Sequence, residues 1–146
     1  MRVTIREIDG DNFVEAIRLE VKPEQKQFVA SNAASIAQSK FHTFLECVGI
    51  YDEETMVGFS AFGKSPEDGT IWIVRHMIGA DHQRKGYGSA GLSALLDHMK
   101  AKYDYASICL DVDPENEAAI KLYERAGFVD TGKIQGESKV YRLDLE

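Results

Sequence analysis

The chain has 146 residues, 44% of them hydrophobic and 28% charged, with a net charge of −7. This is the size and make-up of one globular domain with a core of two layers or more. The acidic balance excludes broad nucleic-acid binding, which needs a basic surface; it suits cationic small molecules weakly. No apolar run approaches the length of a membrane span.

The N-terminal residues 2–8 alternate apolar and polar positions and read as a strand, without the apolar stretch of a secretion signal, so a cytoplasmic protein is expected. Residues 11–19 read as a short helix with Phe13, Ala16 and Ile17 inward. After Lys22-Pro23, residues 24–39 read as a second helix, with Val29, Ala33, Ile36 and Ala37 at helical spacing. Residues 43–51 and 55–63 form an expected antiparallel hairpin around Asp52-Glu53-Glu54. Residues 70–79, rich in β-branched and aromatic types, read as a fourth strand.

A glycine loop follows. A helix is expected from about Gly88 to Tyr103, with Leu92, Leu95, Leu96, Met99 and Tyr103 on one face. Residues 105–112 read as a strand and Asn116 to Ala126 as a helix stopped by Gly127. Residues 128–134 and 138–145 close the chain as strands. The order β-α-α-β-β-β-α-β-α-β-β predicts an α/β (α+β) fold: a mixed sheet of about seven strands flanked by four helices. The crossover from residues 70–79 to 105–112 through the long helix makes those two strands parallel. Cys47 and Cys109 lie in apolar strands without Cys or His at ligand spacing; they read as buried thiols, and no metal is expected.

Two segments carry chemistry. In Gln83-Arg84-Lys85-Gly86-Tyr87-Gly88-Ser89 the two glycines lie between a strand and a helix start. Helix N-termini expose unpaired N–H groups and partial positive charge, and glycine lets a ligand's oxygens approach the backbone. Arg84 and Lys85 add positive charge, and Ser89 a hydroxyl. The loop also reads as a capping turn without a ligand. No Walker run exists, and Gly86-x-Gly88-x-x-Gly91 follows the fourth strand rather than opening a dinucleotide-binding half. The second segment, Asn116 to Phe128, reads as a capped helix with Ala119, Leu122, Tyr123 and Ala126 inward, and on those grounds Tyr123 is equally a core aromatic.

Together the two segments resemble the GNAT superfamily of N-acetyltransferases. Gln83, Gly86 and Gly88 match its (Gln/Arg)-x-x-Gly-x-(Gly/Ala) loop. Asn116, Ala119, Leu122, Tyr123, Gly127 and Phe128 match its Asn-x-x-Ala-x-x-Leu-Tyr-x-x-x-Gly-Phe helix. The resemblance implies acetyl-CoA as cosubstrate, held in a gap between the fourth and fifth strands. It places His76, Met77 and Ile78 main-chain groups on the pantetheine arm and the acetyl carbonyl. Gln83 to Ser89 would hold the pyrophosphate, including Lys85 and Tyr87, with Asn116 and Ala119 as further cofactor contacts. Tyr123 would protonate the departing thiolate. A homodimer is implied by analogy.

Many relatives carry an acid at the position of Val74, so the proton acceptor is open among His76, Asp111 and a water chain. Leu19 to Val29, Gly58 to Gly63 and Trp72 are similar to bacterial spermine/spermidine acetyltransferases. Glu20, Glu24, Trp72 and Asp111 are therefore candidate substrate contacts, and a small polyamine or diamine is the expected acceptor. Peptide or amine-antibiotic acetylation, or a non-catalytic acetyl-CoA-binding module, are the alternatives.

Overall fold

A computed structural model describes residues 1–145. One seven-stranded sheet forms its centre, in the order β1-β2-β3-β4-β5-β7-β6. The strands are β1 (Val3–Glu7), β2 (Leu45–Asp52), β3 (Thr55–Lys64), β4 (Ile71–Ile78), β5 (Ser107–Val112), β6 (Val129–Gln135) and β7 (Ser138–Asp144). The helices are α1 (Phe13–Arg18), α2 (Asn32–Phe41), α3 (Tyr87–Lys102) and α4 (Glu117–Arg125). The element order is the one the sequence predicts, and β4 and β5 are the parallel pair.

Both faces of the sheet are covered. Leu92, Leu95 and Met99 of α3 and Tyr123 of α4 pack on Phe62, Ile71, Ile73, Ile108 and Leu110. On the opposite face Ala16 of α1 joins Leu45, Tyr51, Phe59, Ala61 and Met77. β3 therefore lies between two apolar layers and is buried from Met56 to Gly63, as its unbroken run of small and apolar residues requires. Gly91 lets α3 sit close to the sheet, since a Cβ there would lie 3.1 Å from Ile50.

Three expectations about the first half of the chain are corrected. Residues 24–39 are not one helix: a 3₁₀ turn at Pro23–Gln25 is followed by irregular chain, and α2 begins at Asn32 with Ser31 as its cap. The buried face of α2 holds Asn32 and Ser35, while Ala33 and Ala37 are exposed. The reason is polar: Asn32 Nδ2 donates to the carbonyls of Ala16 (2.9 Å) and Leu19 (3.0 Å), satisfying the end of α1 from within the protein. In α1 only Ala16 is buried, whereas Phe13 and Ile17 stay exposed because the helix spans only six residues. In α4, Ala126 is likewise exposed, as the C-cap.

Candidate active site

Parallel pairing between β4 and β5 extends only over Trp72↔Cys109 and Ile73↔Leu110. Past that point β4 stays paired with β3, and β5 with β7. The divergence starts at a bulge: Ala61 pairs with Arg75 and Phe62 with Ile73, so Val74 is the extra residue. A bulge bends its strand and re-aims the following residues. The β4 edge from Val74 to Ile78 thus faces a gap rather than a neighbouring strand.

The gap opens into a cleft with two connected parts. The outer part, about 790 Å³, is lined by the β4 end, the glycine loop, α4 and the segment before α2. The inner part, about 470 Å³, is lined by residues 27–30, β4, β5 and α4. His76, Asn116, Ala119, Phe28 and Val29 line both.

The glycine loop is shaped for an anion. Arg84 and Gly86 have positive φ, 62° and 90°. Gly86 is the N-cap of α3, with no side-chain cap, and the first helical bond to its carbonyl comes from Ala90. The N–H groups of the intervening first turn are therefore free for a ligand. Gly86, Gly88, Arg84 and Ser89 all line the outer cleft. A Cβ on Gly88 would find only Leu122 nearby, at 3.7 Å, so it is ligand space, not protein packing, that this glycine leaves open.

Charge agrees with that shape. Lys22, Arg84, Lys121 and Arg125 line the outer cleft against one carboxylate, Glu24. A chain with net charge −7 has thus gathered cations along this cleft, a setting that suits a polyanion. No sequence motif marks Lys22, Lys121 and Arg125; the latter two stand four residues apart on one face of α4, a spacing shared by many solvated helices.

The loop is braced from several sides. Gln83 and Gln25 exchange amide hydrogen bonds of 2.8 and 3.0 Å, and Gln83 Nε2 also donates to Ile78 O at 2.9 Å. Gln83 therefore ties the loop to β4 and to the segment before α2. The Tyr87 hydroxyl bonds Asp52 on β2, anchoring the start of α3 away from the cleft. Lys85 bonds the Asp81 carbonyl on the exposed side.

His76 is engaged at both ring nitrogens. Ser60 Oγ lies 2.8 Å from Nδ1 and the Gly88 carbonyl 3.4 Å from Nε2. A carbonyl only accepts, so Nε2 carries the hydrogen and Nδ1 accepts from the serine. Burial pushes the ring down to about 4, against a weaker upward pull from Gly88. His76 is a neutral brace between β3, β4 and α3.

This has a consequence for stability. The unfolded ring titrates near 6.5 and the folded ring near 4, so the unfolded state takes up the proton first as pH falls. His76 stability is complete above about pH 6.5 and drains towards pH 4, by about 2 kcal/mol between pH 7 and 5. Urea denaturation of wild type and His76→Gln at both pH values should show the wild type losing more by that amount; equal losses would refute the assignment.

Tyr123 is 7% exposed on α4, edge-on to Phe128, and lines the inner cleft with Asp111 and Asn116. Burial, and then the charge of Asp111, push its hydroxyl above the usual phenol range, so it stays protonated. Burial also raises the Asp111 carboxyl; its own backbone amide and, more weakly, Arg75 oppose this. Asn116 caps α4 through Oδ1, 3.4 Å from Ala119 N, which leaves its amide N–H groups for the cleft.

The other candidate residues are spread out. Glu24 lines the outer cleft, but Glu20 pairs with Lys26 at 3.6 Å and does not line either part. Trp72 lies on the closed, paired end of β4, outside the cleft lining.

The sequence profile of the acetyltransferase (GNAT) family matches residues 4–128. The chain belongs to the GNAT acetyltransferase family. It is 31% identical over 140 residues, 92% of both chains, to a spermine/spermidine N(1)-acetyltransferase of Bacillus subtilis strain 168. Among solved structures it resembles spermidine N-acetyltransferase from Vibrio cholerae in complex with CoA and spermine. That match has a TM-score of 0.74 and 20% identity, and covers 97% of this chain and 93% of the other. It also resembles aminoglycoside acetyltransferase AAC(6')-Ib with coenzyme A, with a TM-score of 0.80 and 15% identity, covering 97% and 94%. At those identities the two structures speak to the fold. This GNAT protein is thus an N-acetyltransferase that uses acetyl-CoA. Among the described residues no helix is long and apolar enough to cross a membrane.

Proposed function

We propose that this GNAT protein transfers acetyl from acetyl-CoA directly to a primary amine of a polyamine or diamine. The observation that carries this reading is the 31% identity, across 92% of both chains, to a spermine/spermidine acetyltransferase. It is supported by the inner cleft, where Asp111 and Tyr123 meet beneath the uncharged segment 27–30.

Bound acetyl-CoA supplies the activated acetyl thioester. The β4 edge at His76, Met77 and Ile78 would offer main-chain groups to its arm, and Arg84 to Ser89 with Lys121 and Arg125 would hold its phosphates. An alkylamine is protonated at neutral pH and must lose a proton to attack. Asp111 accepts that proton, since both nitrogens of His76 are engaged by Ser60 and Gly88. Tyr123, held protonated, donates to the departing sulfur. Glu24, at the outer cleft, receives a distal ammonium of the acceptor.

Release of free CoA thiol, measured with spermidine, spermine, a diamine, an aminoglycoside and a lysine peptide, tests the acceptor. The expected kcat/KM is about tenfold or more higher for the polyamines, which corresponds to about 1.4 kcal/mol of selective stabilisation. Preference for the aminoglycoside or the peptide would overturn the acceptor assignment and leave the acetyltransferase intact.

The reading includes a cytoplasmic setting, consistent with the free thiols Cys47 and Cys109, and a homodimer. The free edge strand β6 carries Val129 and Ile134, 67% and 64% exposed, which suits a partner. Sedimentation equilibrium at micromolar concentration should return twice the chain mass; a monomer would remove this part of the reading.

A further inference from the structure

Arg75 has no assigned role, yet its surroundings are unusual. It follows the Val74 bulge on β4 and lines the inner cleft, where it is the one permanently charged cation; Asp111, His76 and Tyr123 are the titratable groups there. Residues 27–30, which also line this space, carry no charge, and β7 contributes Ser138. The outer part adds the charges of Lys22, Glu24, Arg84, Lys121 and Arg125.

The guanidinium is half-committed. Its Nη1 donates to the carbonyl of Val74 at 2.9 Å, which fixes the side chain across the bulge. Its Nε is buried with no hydrogen-bond partner. Among the described residues it forms no ion pair, although Asp111 lines the same space. A half-buried arginine that shares a space with a carboxylate without pairing with it leaves that carboxylate's oxygens available to something between them.

We propose that Arg75 is a positioning residue: from the bulge of β4 its charge keeps Asp111 an ionised proton acceptor across the open end of the β4–β5 gap. A half-buried aspartate otherwise tends to hold its own proton and could not take one from the acceptor. Placing the countercharge on the opposite strand stabilises the carboxylate without occupying it, as a closed salt bridge would. The bulge at Val74 then serves twice. It opens the strand edge, and it presents a carbonyl that holds Arg75 short of Asp111. This inference rests on the proposed role of Asp111.

The test is the pH dependence of kcat and kcat/KM, with the best amine of the panel, for wild type, Arg75→Met, Arg75→Lys and Asp111→Asn/Arg75→Met. Carboxyl NMR titration of Asp111 in the full chain accompanies it. In Arg75→Met the rising limb should move to higher pH by about one unit, and the Asp111 resonance should titrate higher by a similar amount. Arg75→Lys, which keeps the charge but not the planar fork, should restore most of both shifts whatever its effect on rate. In the Asp111→Asn background the substitution at 75 should leave the limb where it is. A limb and an Asp111 titration unmoved in Arg75→Met, or moved equally in Arg75→Lys, would overturn the proposal. A shifted resonance with an unshifted limb would show that Arg75 tunes Asp111 but that Asp111 is not the proton acceptor, which overturns the mechanism on which the inference stands.

Discussion

Tyr123→Phe is expected to lower kcat by about 100-fold or more while leaving the dissociation constant of CoA unchanged. The ring is 7% exposed and packs edge-on against Phe128, with centroids 5.9 Å apart, and phenylalanine preserves both features. What disappears is a single hydroxyl that burial and Asp111 keep protonated. A proton donor to the leaving sulfur matters in the transition state and not in the ground state, so the loss should fall on kcat rather than on binding. Stopped-flow thiol release together with calorimetric titration of CoA separates the two. Unchanged kcat would remove Tyr123 from the chemistry and return it to the core.

Gly86→Val is expected to weaken CoA binding by about 100-fold or more. Gly86 sits at φ 90° as the N-cap of α3, a conformation that costs a branched L-residue about 1–2 kcal/mol. The nearest atom to an added Cβ is a methionine methyl at 3.5 Å, so the protein has room for it. The backbone does not: relaxing φ would turn the first-turn N–H groups away from the phosphates. Charge-assisted hydrogen bonds are worth about 1.5–3 kcal/mol each, and losing one or two gives the expected weakening. Calorimetry on the folded variant reads the affinity and a thermal melt reads the strain. A variant that binds CoA as the wild type does would show that the phosphates lie elsewhere.

Legibility in the sequence follows how local each feature is. The glycine loop and the segment from Asn116 to Phe128 are readable because their chemistry lies within about a dozen consecutive residues: φ-permissive glycines, an N-cap and a 3.6-residue apolar face. The segment 23–31 is not. Phe28, Val29 and Ala30 are apolar because they line the cleft, which imitates the face of a helix that in fact starts at Asn32. Asn32 and Ser35 are polar and outside the apolar spacing, and the carbonyls Asn32 satisfies belong to residues 13 and 16 positions away. The split of β4 from β5 depends on the register of three strands and one extra residue, Val74, which no alternation pattern marks. Arg75 is hidden for the same reason. In a strand its charge reads as an outward-facing position, and only the bulge turns it towards the space that holds Asp111.

The most direct measurement is a crystal structure of the full chain with CoA and spermidine bound together. The expected result places the pyrophosphate on the N–H groups of the Gly86–Ser89 turn and the pantetheine along the free edge of His76 to Ile78. The thiol should then lie within hydrogen-bonding reach of the Tyr123 hydroxyl, with an acceptor nitrogen beside Asp111. Phosphates bound away from the start of α3, or an acceptor nitrogen remote from both Asp111 and Tyr123, would contradict it.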